Sequence, residues 1–130
     1  MGLATRALIL IVMVACLISL ANAIDGQATF YTPSYVPSSC YGFQNRGVMI
    51  VAANARLFAG KGACGRRYRV RCTSGTNLGV PHPCRGGTVD VTVVDLCPGC
   101  AGDQLDLSQE AFAMIADPDE GRISIEYHQI

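Results

Sequence analysis

The sequence predicts a mainly β protein, a small disulfide-braced β-barrel with one substantial helix. Five short runs, at 27–31, 48–53, 66–72, 88–95 and 122–127, have a β pattern, either by alternation or by β-branched composition. Apart from a single turn at 54–58, only residues 109–116 have the spacing of a helix. Six cysteines remain once a leader is set aside, an even count of the kind that braces small secreted domains.

The leader comes first. Arg6 supplies a positive start, residues 7–20 are apolar, and Ala21-Asn22-Ala23 fits a small-x-small cleavage pattern, so residues 1–23 read as a signal peptide. The apolar run is shorter than the ~20 residues a membrane span needs. No stable membrane insertion is expected after cleavage, and a retained signal anchor is the alternative. The expected mature chain, residues 24–130, is one domain destined for the extracellular space.

Residues 27–31 (QATFY) alternate and open the domain as a strand. Residues 32–43 hold Pro33, Pro37, three serines and Cys40, a loop tied down by a disulfide. Tyr31, Tyr35, Tyr41 and Phe43 crowd this region. Aromatics on a loop rim either stack on sugar rings or anchor a loop without a core of its own. Residues 48–53 are apolar and β-branched, a buried strand. Residues 54–58 suggest one helical turn, ended by Gly60 and Gly62.

Residues 66–72 (RRYRVRC) alternate most cleanly: Tyr68, Val70 and Cys72 face the core, while Arg67, Arg69 and Arg71 line the other side. That stripe suits a polyanion or is simply a solvated outer face. In a secreted protein the polyanion is an acidic wall polysaccharide or lipid surface, and nucleic acid is not expected. Residues 73–87 are turn-rich, and residues 88–95 (TVDVTVVD) are a strong strand. Ser108 caps the helix 109–116, with Glu110 in its first turn, and Asp117-Pro118 stops it. Residues 122–127 (RISIEY) form the last strand.

The formal charge is zero, but it is unevenly spread. Residues 24–87 carry eight cations against Asp25, whereas residues 88–130 carry nine acids against Arg122. Either the fold presents a basic and an acidic face, or the halves interleave and the charges pair off. Cys16 leaves with the leader, and Cys40, Cys64, Cys72, Cys84, Cys97 and Cys100 remain. They allow 15 pairings. The sequential set, 40–64, 72–84 and 97–100, is favoured because each bridge closes a modest loop. The Cys97-Pro98-Gly99-Cys100 turn resembles half a zinc site, but His82 and His128 do not supply the other half, and no metal or other cofactor is expected.

Asp95 closes a strand and Asp106 precedes the helix, so the two are a candidate acid/base pair. Each also has a structural reading. Asp95 would bond turn amides around Cys97 and Gly99, and Asp106 would cap the turn into the helix. No nucleophilic triad and no phosphate-cradling glycine loop is present.

The order ATFY, CYG, GACG, VTVVDLCPGC and LDLSQEAF resembles expansins and, in its single-domain form with CPGC, the plant natriuretic peptide and blight-associated proteins with an endoglucanase-45-like domain. The resemblance implies a six-stranded double-psi β-barrel with one or two short helices and a groove across one face. It places Asp106 at the proton-donor position of related inverting hydrolases, whose two carboxylates stand ~6.5–9.5 Å apart. It places Asp95 at a groove aspartate, and Pro33 where those hydrolases carry their base. Proline accepts no proton, so the resemblance implies a non-hydrolytic protein with no catalytic residue.

Two main roles follow from the resemblance. One is extracellular signalling in water and solute homeostasis or stress through a cell-surface receptor, with the segment 35–67, including Tyr41, Arg56 and Lys61, as its surface. The other is binding and loosening of cell-wall polysaccharide through the groove around Tyr31, Asp95 and Asp106. A weak glycoside hydrolase and a defence protein are the remaining alternatives. A monomer is expected.

Overall fold

The computed structural model describes residues 22–130; the expected leader, residues 1–23, lies outside them except for its last two residues. Six strands close into a barrel: β1 (Ile24–Tyr31), β2 (Ile50–Ala53), β3 (Arg67–Gly75), β4 (Val89–Leu96), β5 (Leu105–Ser108) and β6 (Ile123–Gln129). Their order around the barrel is β1-β5-β2-β4-β3-β6. β1 runs parallel to β5 and β2 parallel to β4, and the other neighbours are antiparallel. Closure leaves no strand edge to pair with another chain. Helix α1 (Ala55–Phe58) follows β2, and α2 (Gln109–Ile115) follows β5 directly.

The alternation seen in sequence sets the core. Tyr68, Val70 and Cys72 on β3 point inward, as do Val89, Val91 and Val93 on β4 and Ile123, Ile125 and Tyr127 on β6. Phe112 of α2 is fully buried, with its ring 5.0 Å from that of Phe30. Ser108 caps α2 as expected: its hydroxyl accepts from the Ala111 amide at 3.1 Å and donates to the Val48 carbonyl at 2.5 Å. The helix ends one residue early, at Ile115, with Ala116 already extended. Helix α1 is capped by Asn54, whose side chain accepts from Leu57 N at 2.9 Å. It is ended by Ala59 in the left-handed region (φ 51°), one residue before the expected Gly60.

Strand β5 is the element that periodicity alone did not show. Four residues between a turn and a helix cap are too few to display a period, and only the resemblance supplied the sixth strand. The segment nevertheless pairs on both sides, with β1 and with β2.

The disulfides join Cys40 to Cys64, Cys72 to Cys84 and Cys97 to Cys100, the sequential set. The turn-rich segment after β3 is organised by Glu120, which is buried. Its carboxylate accepts from the backbone amides of Thr76 and Val80, both at 3.2 Å. Gly75 is required there, since a Cβ would lie 2.3 Å from the Glu120 carboxylate.

Candidate functional site

A single irregularity builds the site. β2 and β4 run in register at Val51↔Val93, and the register then shifts so that Ala52 pairs with Asp95. Val94 is the extra residue of a β-bulge, a device that re-aims side chains. Without it Asp95 would pair with Ala53, which is in the core, and would face inward. With it Asp95 joins the outward row.

On the other side of β2, Ala52 pairs with Asp106 on β5, and Asp106 pairs with Thr29 on β1. One row thus crosses four strands as Thr29, Asp106, Ala52, Asp95. The two carboxylate-bearing backbones are separated by two strand spacings, about 9–10 Å. Between them stands Ala52, the smallest side chain of the row, itself buried.

Asp106 is half-buried, and loss of water raises its carboxyl above the usual range. A hydrogen bond from Thr29 Oγ1 at 2.9 Å and the more distant charge of Arg122 oppose that rise. Gln104 Nε2 donates in turn to Thr29 Oγ1 at 3.1 Å, so a donor chain positions the carboxyl. Asp95 Oδ1 accepts from the backbone amides of Ser39 and Leu96, each at 3.0 Å. Among the described residues neither aspartate forms an ion pair.

Both structural readings therefore change. The Cys97 amide goes to Ala53 O, so Asp95 bonds the Leu96 amide just before the CPGC turn and the Ser39 amide of the 32–49 loop instead of amides within the turn. Capping of α2 belongs to Ser108, and Asp106 lies within a strand.

Tyr31 lies close enough to both aspartates to feel their charge. Burial first, and then Asp95 and Asp106, hold its phenol protonated well above its ordinary range. Its hydroxyl is buried without a hydrogen-bond partner. Among the described residues it is the one buried side-chain polar atom left unpaired, and such an orphan donor is costly. Tyr35 meets the Tyr31 ring edge-on at 5.2 Å. The Tyr35 hydroxyl donates to Glu110 Oε2 at 2.5 Å, and burial together with that bond pushes its pKa up to about 12.

The remaining candidates do not join this row. Tyr41 lies under the Arg46 guanidinium, 4.3 Å from its ring centre. Arg56 pairs with Asp103 beside a cleft of about 520 Å3 that none of the groove residues lines. Lys61 is exposed with φ 78°. Arg69 makes two hydrogen bonds to Asp90, of 2.8 and 3.0 Å, with Arg67 at 3.9 Å from the same carboxylate. Arg71 reaches Glu126 at 3.4 Å. The two halves of the chain interleave, and acids of the second half pair with Arg56, Arg67, Arg69 and Arg71 of the first. Thr29, Gln104 and Ser39 were not singled out from sequence. The alternation of ATFY does place Thr29 on the same side as Tyr31, but nothing local marks Gln104 or the Ser39 amide.

Comparison with known proteins places this geometry in a family. Residues 50–127 match the profile of the lytic transglycolase family. An EG45-like domain containing protein of Citrus jambhiri is 53% identical over 130 residues, covering 99% of both chains. EG45-like domain containing protein 2 of Arabidopsis thaliana is 44% identical over 123 residues, 94% of this chain and 92% of that one. Among solved structures, an aspartate-to-asparagine mutant of the Clavibacter michiganensis expansin, in complex with cellohexaose, superposes with a TM-score of 0.68 at 29% identity. That match covers 83% of this chain and 50% of the expansin, so the chain spans about half of that protein. With the closed six-stranded barrel and its outward carboxylate row already in place, these matches mean that the chain belongs to the EG45-like domain containing proteins, on an expansin-related double-psi β-barrel.

Proposed function

We propose that this is a secreted, non-hydrolytic polysaccharide-binding protein of the cell wall, which holds a glycan chain across the row of Thr29, Asp106, Ala52 and Asp95. The observation that carries the reading is the pair of outward carboxylates on β5 and β4, two strands apart and without an ion pair among the described residues, with Tyr31 close to both. A sugar hydroxyl is both donor and acceptor, so it can donate to an aspartate while a C–H face of the ring packs on an aromatic side chain. The expansin in complex with cellohexaose supports a glucan as ligand. Asp106, raised by burial, retains the character of a general acid. Hydrolysis also needs a base on the opposite side of the bond. Asp95 has one oxygen committed to backbone amides, and the first-strand position holds Pro33.

Retention on cellulose and xyloglucan at low salt, without release of reducing ends, is the expected result. Failure to bind any wall glucan refutes the reading, and glucan cleavage that is lost in Asp106→Asn replaces it with a hydrolase.

Signalling of the natriuretic-peptide type through a cell-surface receptor is the second reading. The mixed-charge cleft rimmed by Arg56, Arg66, Asp25 and Asp103, with exposed Lys61 on the neighbouring turn, favours it. Cell responses that survive Arg56→Ala and Lys61→Ala count against it.

A further inference from the structure

The loop between β1 and β2 walls a second cleft of about 560 Å3, whose lining includes Pro33, Tyr35, Val36, Asn45, Val48 and Glu110. That volume is in the range of ligand sites, and a mostly apolar wall with a few convergent polar groups is their usual composition. We propose that this cleft is an additional sugar subsite, in which a neutral glucan chain lying over Tyr31 continues past Tyr35. The inference rests on the groove reading above and extends it.

Continuity is the first argument. Tyr31 stands two residues after Thr29 on β1, next to the carboxylate row, and Tyr35 belongs to the wall of the cleft; their rings are in edge contact at 5.2 Å. A chain leaving the row on this side meets the cleft next.

Chemistry is the second. Glu110 Oε2 is taken by the Tyr35 hydroxyl, while Oε1 has no protein partner among the described residues. Asn45 uses its Oδ1 for the Gly47 amide at 2.8 Å, which leaves its amide N–H groups as donors. An acceptor and a donor beside the apolar surfaces of Pro33, Val36 and Val48 match a sugar unit, with its hydroxyl rim and C–H faces. The cleft contains a carboxylate and no cation, which selects a neutral glucan over a uronate.

The wall of the cleft is also already built. Tyr35 is held by Glu110 and by the Gln109 amide at 3.3 Å, the Val48 carbonyl by Ser108, and the loop as a whole by Cys40–Cys64. Little ordering is left for the ligand to impose. Pro33, at the position of the absent base, becomes part of this apolar wall: the residue that removes hydrolysis contributes binding surface.

The test uses the disulfide-intact secreted chain with cellotriose and cellohexaose. In amide chemical-shift mapping, both ligands are expected to perturb residues of the Asp95–Asp106 row. Only the hexasaccharide is expected to perturb Ser34, Gly47 and Val48 as well. By calorimetry the hexasaccharide is expected to bind at least tenfold more tightly than the trisaccharide, an advantage that Val48→Trp removes by filling the cleft. A hexasaccharide that perturbs the row alone, or an advantage that survives Val48→Trp, overturns the subsite and leaves the groove standing. Absence of perturbation by either sugar overturns the groove reading and this inference with it. The shift mapping needs no variant, so it decides the matter even if Val48→Trp does not fold.

Discussion

On the face formed by β3, β4 and β6, three arginines stand in a row and each meets a carboxylate. On the face formed by β1, β5, β2 and β4, two carboxylates stand in a row and, among the described residues, neither forms an ion pair. The first face carries the loudest pattern in the sequence, yet Asp90 and Glu126 silence much of it. The second is built from residues that look ordinary in sequence, and among the described residues it keeps an unpaired phenol and a half-buried carboxyl. Charge that a fold neutralises stabilises or solubilises; charge left without a counter-ion is held for something else. That contrast sharpens into four measurements.

The largest effect is expected from removing the Cys40–Cys64 bridge. Opening a loop of this length is worth about 3 kcal/mol of stability. The loop it restrains also supplies the Ser39 amide to Asp95. The double variant Cys40→Ser, Cys64→Ser should therefore lose glucan binding even at temperatures where thermal denaturation shows it folded. Undiminished binding there means the row does not depend on the loop.

Next comes the pair Asp95→Asn and Asp106→Asn. Hydrogen bonds to charged groups contribute about 1.5–3 kcal/mol each. Retention on glucan should thus fall at least tenfold, whereas Arg69→Ala leaves it unchanged. The reverse ranking in a pull-down assay would mean that the arginine face is the binding surface.

Asp90→Asn tests the other side of the comparison. It frees Arg67 and Arg69 while leaving the core untouched. A severalfold gain in binding to polygalacturonate at low salt, lost near 0.5 M sodium chloride, is expected for an uncovered cationic stripe. If nothing is gained, the pairing is not what keeps that face quiet.

The smallest effect concerns pH. Because burial raises the folded-state pKa of Asp106, the folded protein binds the proton more tightly than the unfolded chain does. Stability attributable to this group therefore falls as pH rises from the ordinary aspartate range through the raised value, and stays lower above it. Asp106→Asn should accordingly raise the unfolding temperature at pH 7 by a few degrees and leave it unchanged at pH 3. A lower midpoint at pH 7 would mean that the charged form is stabilised by its neighbours rather than penalised. The same variant weakens binding, the usual conflict between a functional charge and stability.

Much of this protein is determined by sequence alone. Alternation in RRYRVRC assigned core and surface on β3, because side-chain direction in a strand is a local property of period 2. Ser108 announced the start of α2 because an N-cap needs only its own turn. The motif order was specific enough to imply the fold before any coordinate. The tertiary structure alone decided which charges meet, where the sixth strand lies and which way Asp95 points. Arg69 and Asp90 are 21 residues apart in the chain, Thr29 and Asp106 are 77 apart, and Asp95 faces outward only because one extra residue, Val94, bulges against β2. Register and pairing belong to the closed barrel as a whole, since each strand is positioned by its neighbours on both sides, and no local window of sequence contains that information.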